Sequence, residues 1–404
     1  MRAESVSTPS NAVVPVLKSR QEALTKAREI VPAVAERATR TDADRVVPRE
    51  TIDEIMDAGL FGLVTPKLFG GSEMGFASVI EVTAELAAAC GSTGWVFGVL
   101  AGHSWLLNLF PEQAQRDVFA NPRALTATVF RLGGTITEVD GGYRLVDGRG
   151  QFCSGVDHVD WVIVGNAVQR QGKPPEPRFF VISRADLSIE DDWFTTGMRG
   201  TGSRTIHIKE AFIPAHRSVA LAEMASGNTP GSKIHGAPLY SLPFQNVVPF
   251  SLVGAPLGMA KGALKLFTAT LSGKLSAMES EQLAEQSATI ARLAEADTDI
   301  DAAYALVLED ATRVDNVADV KSLTELEWGR IPRNWAYAAQ QSRRAVTQIF
   351  EVCGGNAIYE GSEVQRFWRD VNSAAQHFAF GWDAAMTTYG RLALGLPASK
   401  FARR

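Results

Sequence analysis

A block between positions 124 and 224 constrains the fold most, because its residue composition and pattern differ from those of the chain on either side. It contains short segments rich in β-branched and aromatic residues, namely ALTATVF, GTITEV, YRLVDGRGQF, DWVIVGNAV, RFFVIS and RTIHIKEAFIP. Turn signals such as Asp140-Gly141-Gly142 and Asp147-Gly148 separate these segments. The block therefore predicts an all-β unit inserted into a longer chain.

Helical patterns flank this block on both sides. Before it, PRETIDEIMDAGLFG places Pro48 at a helix start and Gly59 at a stop, and FASVIEVTAELAAAC has the same period. After it, the runs 283–314 and 331–352 are Ala-rich with apolar residues at helical spacing. We therefore predict an α+β fold with an N-terminal helical domain (1–123), a central antiparallel β-barrel or sandwich domain (124–224) and a C-terminal four-helix bundle domain (225–404).

Composition excludes several classes of protein. The formal net charge of −5 over 404 residues offers no basic stripe for a nucleic acid. Three scattered cysteines exclude a disulfide framework and fit a reducing compartment. The N-terminus lacks the apolar core of a signal peptide, and the most apolar stretch (94–110) contains His103 and Asn108, which indicates a buried helix. We expect a cytoplasmic protein that binds neither nucleic acid nor membrane.

Motifs taken alone leave the chemistry open. GMRGTGS (197–203) lacks the spacing of a dinucleotide loop, so it is either a turn between strands or a loop whose Thr201 and Ser203 contact a polar cofactor. DTDID (297–301) lacks the glycine and closing glutamate of a calcium loop, and we expect an acidic helix turn. None of the six histidines is paired as H-x-x-x-H, so no metal site is predicted.

Two histidines lie in apolar helical surroundings. His103 and His377 would each need a hydrogen-bond partner if they were buried there. A satisfied core histidine is the more common outcome for either residue alone. Pattern and composition therefore indicate a cytoplasmic protein of enzyme size, and no more.

Four stretches occur in the order found in one known family. They are AGLFGLVTPKLFGG (58–71), YRLVDGRGQFCSGVDHVDWVIVGN (143–166), GMRGTGSRTIHIKEAFIP (197–214) and CGGNAIYEGSEVQRFWRDV (353–371). Through them the chain resembles the acyl-CoA dehydrogenase superfamily over essentially its whole length. In those dehydrogenases the catalytic base, in Tyr-Glu-Gly, follows an Arg-Asp pair by about two helical turns.

The order of these residues differs in this chain. Tyr359-Glu360-Gly361 comes before Arg369-Asp370, and the position equivalent to the base falls at His377 or Phe378. Neither is a carboxylate, so the abstraction of an α-proton from an acyl-CoA has no candidate base. We expect Glu360 to be a solvated residue at a helix start.

Three further stretches resemble the flavin-dependent monooxygenase branch of the superfamily, the oxygenase components of two-component aromatic hydroxylases. They are CSGVDH (153–158), AGHSWLLNLF (101–110) and RDVNSAAQHFAFGWDAAMTTYGRLALG (369–395). The resemblance implies that His103, Ser154 and His377 are catalytic. It also implies that the flavin is bound by Thr128, Phe152, Ser154, Thr201, Ser203 and His377.

The same resemblance implies a chemistry. Reduced FMN or FAD and O₂ form a C4a-hydroperoxyflavin, Ser154 holds the flavin N5 proton, and His377 hydrogen-bonds the peroxide. His103, with a pKa near neutrality, is expected to withdraw the proton of a phenol. The substrate would be a small aromatic compound of the phenol or indole type.

Two departures from the dehydrogenases imply a partner. No arginine-bearing segment for the flavin pyrophosphate is recognisable around 266–281, and no NAD(P)H fingerprint exists in the chain. A separate NAD(P)H:flavin reductase is therefore expected to deliver the reduced flavin. Long C-terminal helices with one apolar face indicate self-association, and a homotetramer is expected.

Two alternatives remain at this stage. One is an acyl-CoA dehydrogenase-type flavoenzyme that oxidises a thioester. The other is a helical oligomer that binds flavin or a lipid-like ligand without turnover.

Overall fold

Helices form both ends of the protein in this computed structural model, which describes residues 14–275 and 286–398. The first group precedes the β block: α1 (Arg20–Asp44), α2 (Arg49–Asp57), α3 (Phe76–Ala89), α4 (Gly91–Leu107) and α5 (Glu112–Phe119). The second group follows it: α6 (Leu221–Ser226), α7 (Phe244–Val247), α8 (Phe250–Leu275), α9 (Ser287–Asp315), α10 (Glu325–Val352), α11 (Glu363–Ala374) and α12 (Trp382–Ala393). Short 3₁₀ turns connect several of these helices.

A single eight-stranded sheet lies between the two helical groups. Its strands are β1 (Thr126–Val129), β2 (Thr135–Val139), β3 (Gly142–Cys153), β4 (Trp161–Arg170), β5 (Lys173–Ser183), β6 (Ser188–Glu190), β7 (Arg204–Pro214) and β8 (Ser218–Ala220). The strand order is β6-β7-β3-β2-β4-β5-β8, and β1 also pairs with β4. The β1–β4 and β2–β4 pairs are parallel and the others antiparallel, so the sheet is mixed rather than wholly antiparallel.

The predicted fold class is confirmed by this order of helices, strands and helices. All six segments expected to be strands are strands, and the two that the sequence did not reveal, β6 and β8, are three residues long. The acidic DTDID segment lies inside α9, as predicted. Residues 283–285 of the expected helical run lie outside the described residues. The domain boundaries at 123 and 224 remain a prediction.

The core is built around closely packed helices. Helix α4 is buried along its whole length except at Ser104, which explains its uniformly apolar sequence. Gly98 lets α8 approach, because a Cβ atom there would lie 2.0 Å from the carbonyl oxygen of Ser251. Within the described residues, Phe244–Gly273 is long and apolar enough to cross a membrane, but 89% of its most apolar window is buried in the protein. That burial is typical of a core helix.

Two carboxylates join the C-terminal helices to the rest of the chain. Asp315, at the end of α9, accepts hydrogen bonds from the backbone N–H groups of Phe76 and Ala77 at 2.7 and 2.9 Å. Asp370 on α11 accepts from the N–H of Met198 at 2.6 Å. Burial raises the pKa of each carboxyl to about 6. The second contact fixes the loop before β7 against α11.

Candidate active site

Ser154 and His377 both contact one tryptophan, Trp95. The indole Nε1–H of Trp95, in the first turns of α4, donates to Ser154 Oγ at 3.3 Å. The ring of Trp95 meets the ring of His377 edge-on, with 5.5 Å between ring centroids. The end of β3, the start of α4 and the connection between α11 and α12 therefore converge at this point.

A row of buried hydroxyl groups continues from Ser154. Its Oγ lies 2.7 Å from Ser203 Oγ, which lies 2.6 Å from Thr201 Oγ1. The Thr201 hydroxyl donates to the carbonyl oxygen of Met198 at 2.9 Å. All three hydroxyl residues are buried. The structure thus brings Ser154, Thr201 and Ser203 together, three of the residues that the sequence suggested for flavin binding.

Phe152 lies beside this row on the surface. Its backbone has φ of 63°, a left-handed conformation that is uncommon for a bulky side chain, at the irregularity where β3 leaves its register with β7. The ring is 68% exposed and meets Trp193 edge-on at 5.9 Å. A strained backbone that holds an apolar ring in solvent is typical of a binding position.

His377 is held in one orientation by its own backbone and by aromatic rings. Its Nδ1 accepts a hydrogen bond from the N–H of Ala379 at 3.3 Å, which leaves Nε2 as the other ring nitrogen. Phe378 and Phe380 pack against the ring at 4.4 and 5.9 Å. Burial lowers the pKa of His377 to about 4, so the imidazole is neutral at pH 7.

His103 is more deeply buried, with 4% of its surface exposed. Burial lowers its pKa to about 3, and a hydrogen bond with the backbone of Thr126 opposes this effect. The expectation of a pKa near neutrality for this imidazole is therefore wrong, because the pocket removes it from water. Among the described residues, His103 Nδ1 and the hydroxyl of Thr128 on β1 have no hydrogen-bond partner.

Phe130, directly after β1, connects the two histidines. Its ring lies 6.2 Å from His103 and 6.3 Å from Phe378, which itself packs on His377. Phe179 and Phe244 close the other sides of Phe130 at 6.2 and 5.9 Å. A continuous series of contacts therefore links His103, Phe130, Phe378, His377, Trp95 and Ser154, which includes all three residues expected to be catalytic.

Glu360 lies elsewhere. Its residue is exposed in the turn before α11, where its backbone carbonyl accepts a hydrogen bond from Gln365 at 3.0 Å. This is the solvated position at a helix start that the sequence predicted.

Sequence reasoning missed Trp95 and Phe130. Trp95 precedes His103 by two helical turns within the same apolar run, and that spacing could have pointed to it. Phe130 has no comparable signal, because only the folding of β1 against α4 brings it beside His103.

Comparisons with known proteins identify the family of this chain. The acyl-CoA dehydrogenase N-terminal domain model matches residues 18–124, and the acyl-CoA dehydrogenase C-terminal domain model matches residues 251–382. An FADH(2)-dependent resorcinol hydroxylase, oxygenase component, of Rhizobium sp. (strain MTP-10005) is 34% identical over 89% of this chain and 90% of its own length. A pigment production hydroxylase of Rhodococcus sp. (strain ATCC 21145) is 32% identical over 94% of this chain and 98% of its own.

A solved structure gives the same result. The crystal structure of the HsaA monooxygenase from M. tuberculosis is 31% identical, with a TM-score of 0.89 over 95% of this chain and 100% of that chain. Sequence and structure therefore match along nearly the whole length of these proteins. The chain belongs to the flavin-dependent monooxygenase oxygenase components that share the acyl-CoA dehydrogenase fold.

Proposed function

We propose that this protein hydroxylates an uncharged phenol, using O₂ and reduced flavin delivered by a separate NAD(P)H:flavin reductase. The observation that carries the proposal is the series of contacts from His103 through Phe130, Phe378, His377 and Trp95 to Ser154. It groups two neutral imidazoles, a hydroxyl and an apolar aromatic wall, with no carboxylate among them.

The residues present fit a reduced flavin, either FMN or FAD. Ser154 offers a buried hydroxyl, Thr128 a buried hydroxyl without a partner among the described residues, and Phe152 an exposed apolar face. Such a combination suits a flat ring with polar edges. When bound, the reduced flavin supplies the electrons that activate O₂. We assign its contacts to Phe152, Ser154 and Thr128, supported by Thr201, Ser203 and His377.

The protein's own side chains then have separate tasks. Ser154 Oγ would accept a hydrogen bond from the N–H of a bound reduced flavin, and His377 Nε2 is the ring nitrogen available to donate to a neighbouring oxygen atom. His103 Nδ1 accepts the phenol proton, which makes the aromatic ring more electron-rich. Although burial lowers the pKa of His103, the phenolate formed beside it would stabilise the imidazolium.

The aromatic wall indicates which phenols fit. Phe130 packs against His103, and Phe179, Phe244 and Phe378 pack around Phe130, so this side of the imidazole is lined by apolar rings. The aromatic rings that pack against the two imidazoles carry no charge. A substrate carboxylate would thus be buried without a cation, which is costly. We therefore assign uncharged phenols as the substrate class.

The test compares 4-hydroxyphenylacetate with its methyl ester, which has the same ring and no charge. The protein is supplied with NADH, an NADH:flavin reductase, FMN or FAD, and ¹⁸O₂. We expect the ester to gain one ¹⁸O atom in its product, with a kcat/KM about tenfold or more above that of the acid, because tenfold corresponds to only ~1.4 kcal/mol. Mass spectrometry of the products measures both results.

Two results would contradict the proposal. Equal or better turnover of the acid would remove the assignment of uncharged substrates. Oxidation of an acyl-CoA without O₂ incorporation would restore the dehydrogenase alternative, which the exposed position of Glu360 disfavours. Omitting the reductase is the control, and it should abolish product formation.

We also propose that the protein is a homotetramer and works in the cytoplasm, where NAD(P)H is available to the reductase. Helix α12 buries only Ala385, and it and the following segment expose Trp382, Leu394 and Leu396. Exposed apolar side chains grouped on one segment are typical of an interface.

Sedimentation of the purified protein tests the assembly. We expect four times the monomer mass, and a lower mass for Leu394→Glu because a charge would be buried in the interface. Val139→Glu, which changes an exposed residue on β2, is the matched control and should sediment as the wild type does. A monomeric wild-type protein would contradict this proposal.

A further inference from the structure

The row of hydroxyl groups behind Ser154 has only one consistent arrangement of its protons. A threonine or serine hydroxyl has one proton to donate and two lone pairs to accept with. Thr201 Oγ1 and the carbonyl oxygen of Met198 are 2.9 Å apart, and two oxygens at that distance need a proton between them. The carbonyl cannot supply it, so the single proton of Thr201 is committed to Met198.

The remaining protons follow in sequence. Since Thr201 has no second proton, Ser203 must donate to Thr201 across their 2.6 Å contact. Ser203 has then used its own proton, so Ser154 must donate to Ser203 across 2.7 Å. The indole N–H of Trp95 can only donate, and it occupies one lone pair of Ser154. Ser154 therefore has one lone pair left, and no proton, for a ligand.

We infer that Thr201 and Ser203 are positioning residues that make Ser154 an obligate acceptor, so that the site selects reduced flavin over oxidised flavin. Reduced flavin carries an N–H at N5, whereas the same atom of oxidised flavin is an unprotonated acceptor. Ser154 can accept a hydrogen bond from the N5–H of reduced flavin. With oxidised flavin, a lone pair of Ser154 Oγ would face the lone pair of N5. The inference rests on the proposed function, which places N5 beside Ser154.

Such selection would have a purpose in a protein whose sequence carries no NAD(P)H-binding fingerprint. The reductase releases reduced flavin into a solution that also contains oxidised flavin, and an oxygenase that bound both equally would be occupied by the unreactive form. A polarised hydroxyl discriminates by hydrogen-bond direction alone, since the two flavins have almost the same shape. Thr201, 2% exposed, would act only through Ser203 and Ser154.

The experiment measures the dissociation constants of oxidised and of dithionite-reduced FMN and FAD by anaerobic calorimetry. For the wild-type protein we expect tighter binding of the reduced form. Ser203→Ala removes the acceptor of the Ser154 proton, so Ser154 can donate to a ligand. Thr201→Val removes the acceptor of the Ser203 proton and keeps a β-branched side chain; Ser203 can then donate to Ser154, which again leaves the Ser154 proton free. Each should lower the ratio of the oxidised to the reduced dissociation constant about tenfold, the value of one hydrogen bond.

Rescue and control variants separate this role from a structural one. Thr201→Ser restores the hydroxyl and should restore the wild-type ratio, and Ser226→Ala, a change at an exposed serine on α6, should leave it unchanged. A ratio that stays constant in Ser203→Ala and Thr201→Val, or an equal weakening of both flavins, overturns the inference while hydroxylation of phenols by the wild type still stands. A wild-type protein that binds neither flavin overturns the proposed function as well.

Discussion

Replacing His103 with alanine is expected to lower the kcat for hydroxylated product about 100-fold, the lower range for losing a positioned proton acceptor. His103 Nδ1 is buried without a partner among the described residues, so a bound phenol is the group that would satisfy it. The variant should still consume reduced flavin and O₂, because Ser154 and His377 are unchanged. The electrons should then appear as hydrogen peroxide instead of product.

Two measurements on one sample check this result: product by chromatography and peroxide by a peroxidase-coupled assay. The matched control is His207→Ala, because His207 lies on β7, where its Nε2 and Glu190 Oε2 form an exposed hydrogen bond of 2.7 Å. That change should alter neither the rate nor the ratio of product to peroxide. If His103→Ala kept wild-type product formation, this residue would have no part in activating the phenol.

The surroundings of His377 also explain why a histidine occupies the position where the dehydrogenases have a carboxylate. A carboxylate beside Trp95 and Phe378 would be ionised or would shift its pKa upward in such an apolar setting. His377 is neutral there, with a pKa of about 4, and can approach an oxygen without a charge. Electrophilic oxygen transfer can use such a neutral hydrogen-bond donor.

Much of the fold could be predicted from the sequence, because its signals are local. The six longer strands follow from β-branched residues and turn pairs, and the flanking helices from their apolar period. What could not be predicted is contact between distant segments. The parallel pairing of β1 with β4 joins Thr126 to Trp161 across a gap that no local pattern reports.

The site residues also fall into those that the sequence indicates and those that only the folded structure brings together. Ser154, His103 and His377 are identified from motifs that resemble a known family, and the structure links them through ring contacts and one hydrogen bond. Phe130 was missed because its role depends on three separate segments meeting around it. The pKa of His103 was misjudged for a related reason, since the extent of burial is a property of the whole packed core.

A third buried imidazole, that of His158, allows the stability of the fold in acid to be predicted. His158, in the CSGVDH motif, has Nε2 buried with no partner among the described residues. Burial and the nearby charge of Arg49 lower its pKa to about 4, although a hydrogen bond with the backbone of Val47 opposes both effects. A depressed histidine pKa means that the unfolded chain binds the proton more tightly between about pH 6.5 and 4. The stability associated with the neutral form is therefore complete above pH 6.5 and is lost as the pH falls toward 4.

His158→Gln should consequently reduce the acid sensitivity of folding. At pH 5, about 1.5 units below the ordinary histidine pKa, linkage assigns a loss of about 2 kcal/mol to this imidazole, and glutamine cannot be protonated there. The raised pKa values of Asp315 and Asp370 change the stability in the opposite direction, but equally in both proteins, so they cancel in the difference.

Denaturant unfolding at pH 7 and pH 5 measures the difference in acid sensitivity between the variant and the wild type. His207→Gln is the exposed control and should follow the wild-type curve, and a His158→Gln curve parallel to the wild type would mean that the imidazole does not stay neutral when folded.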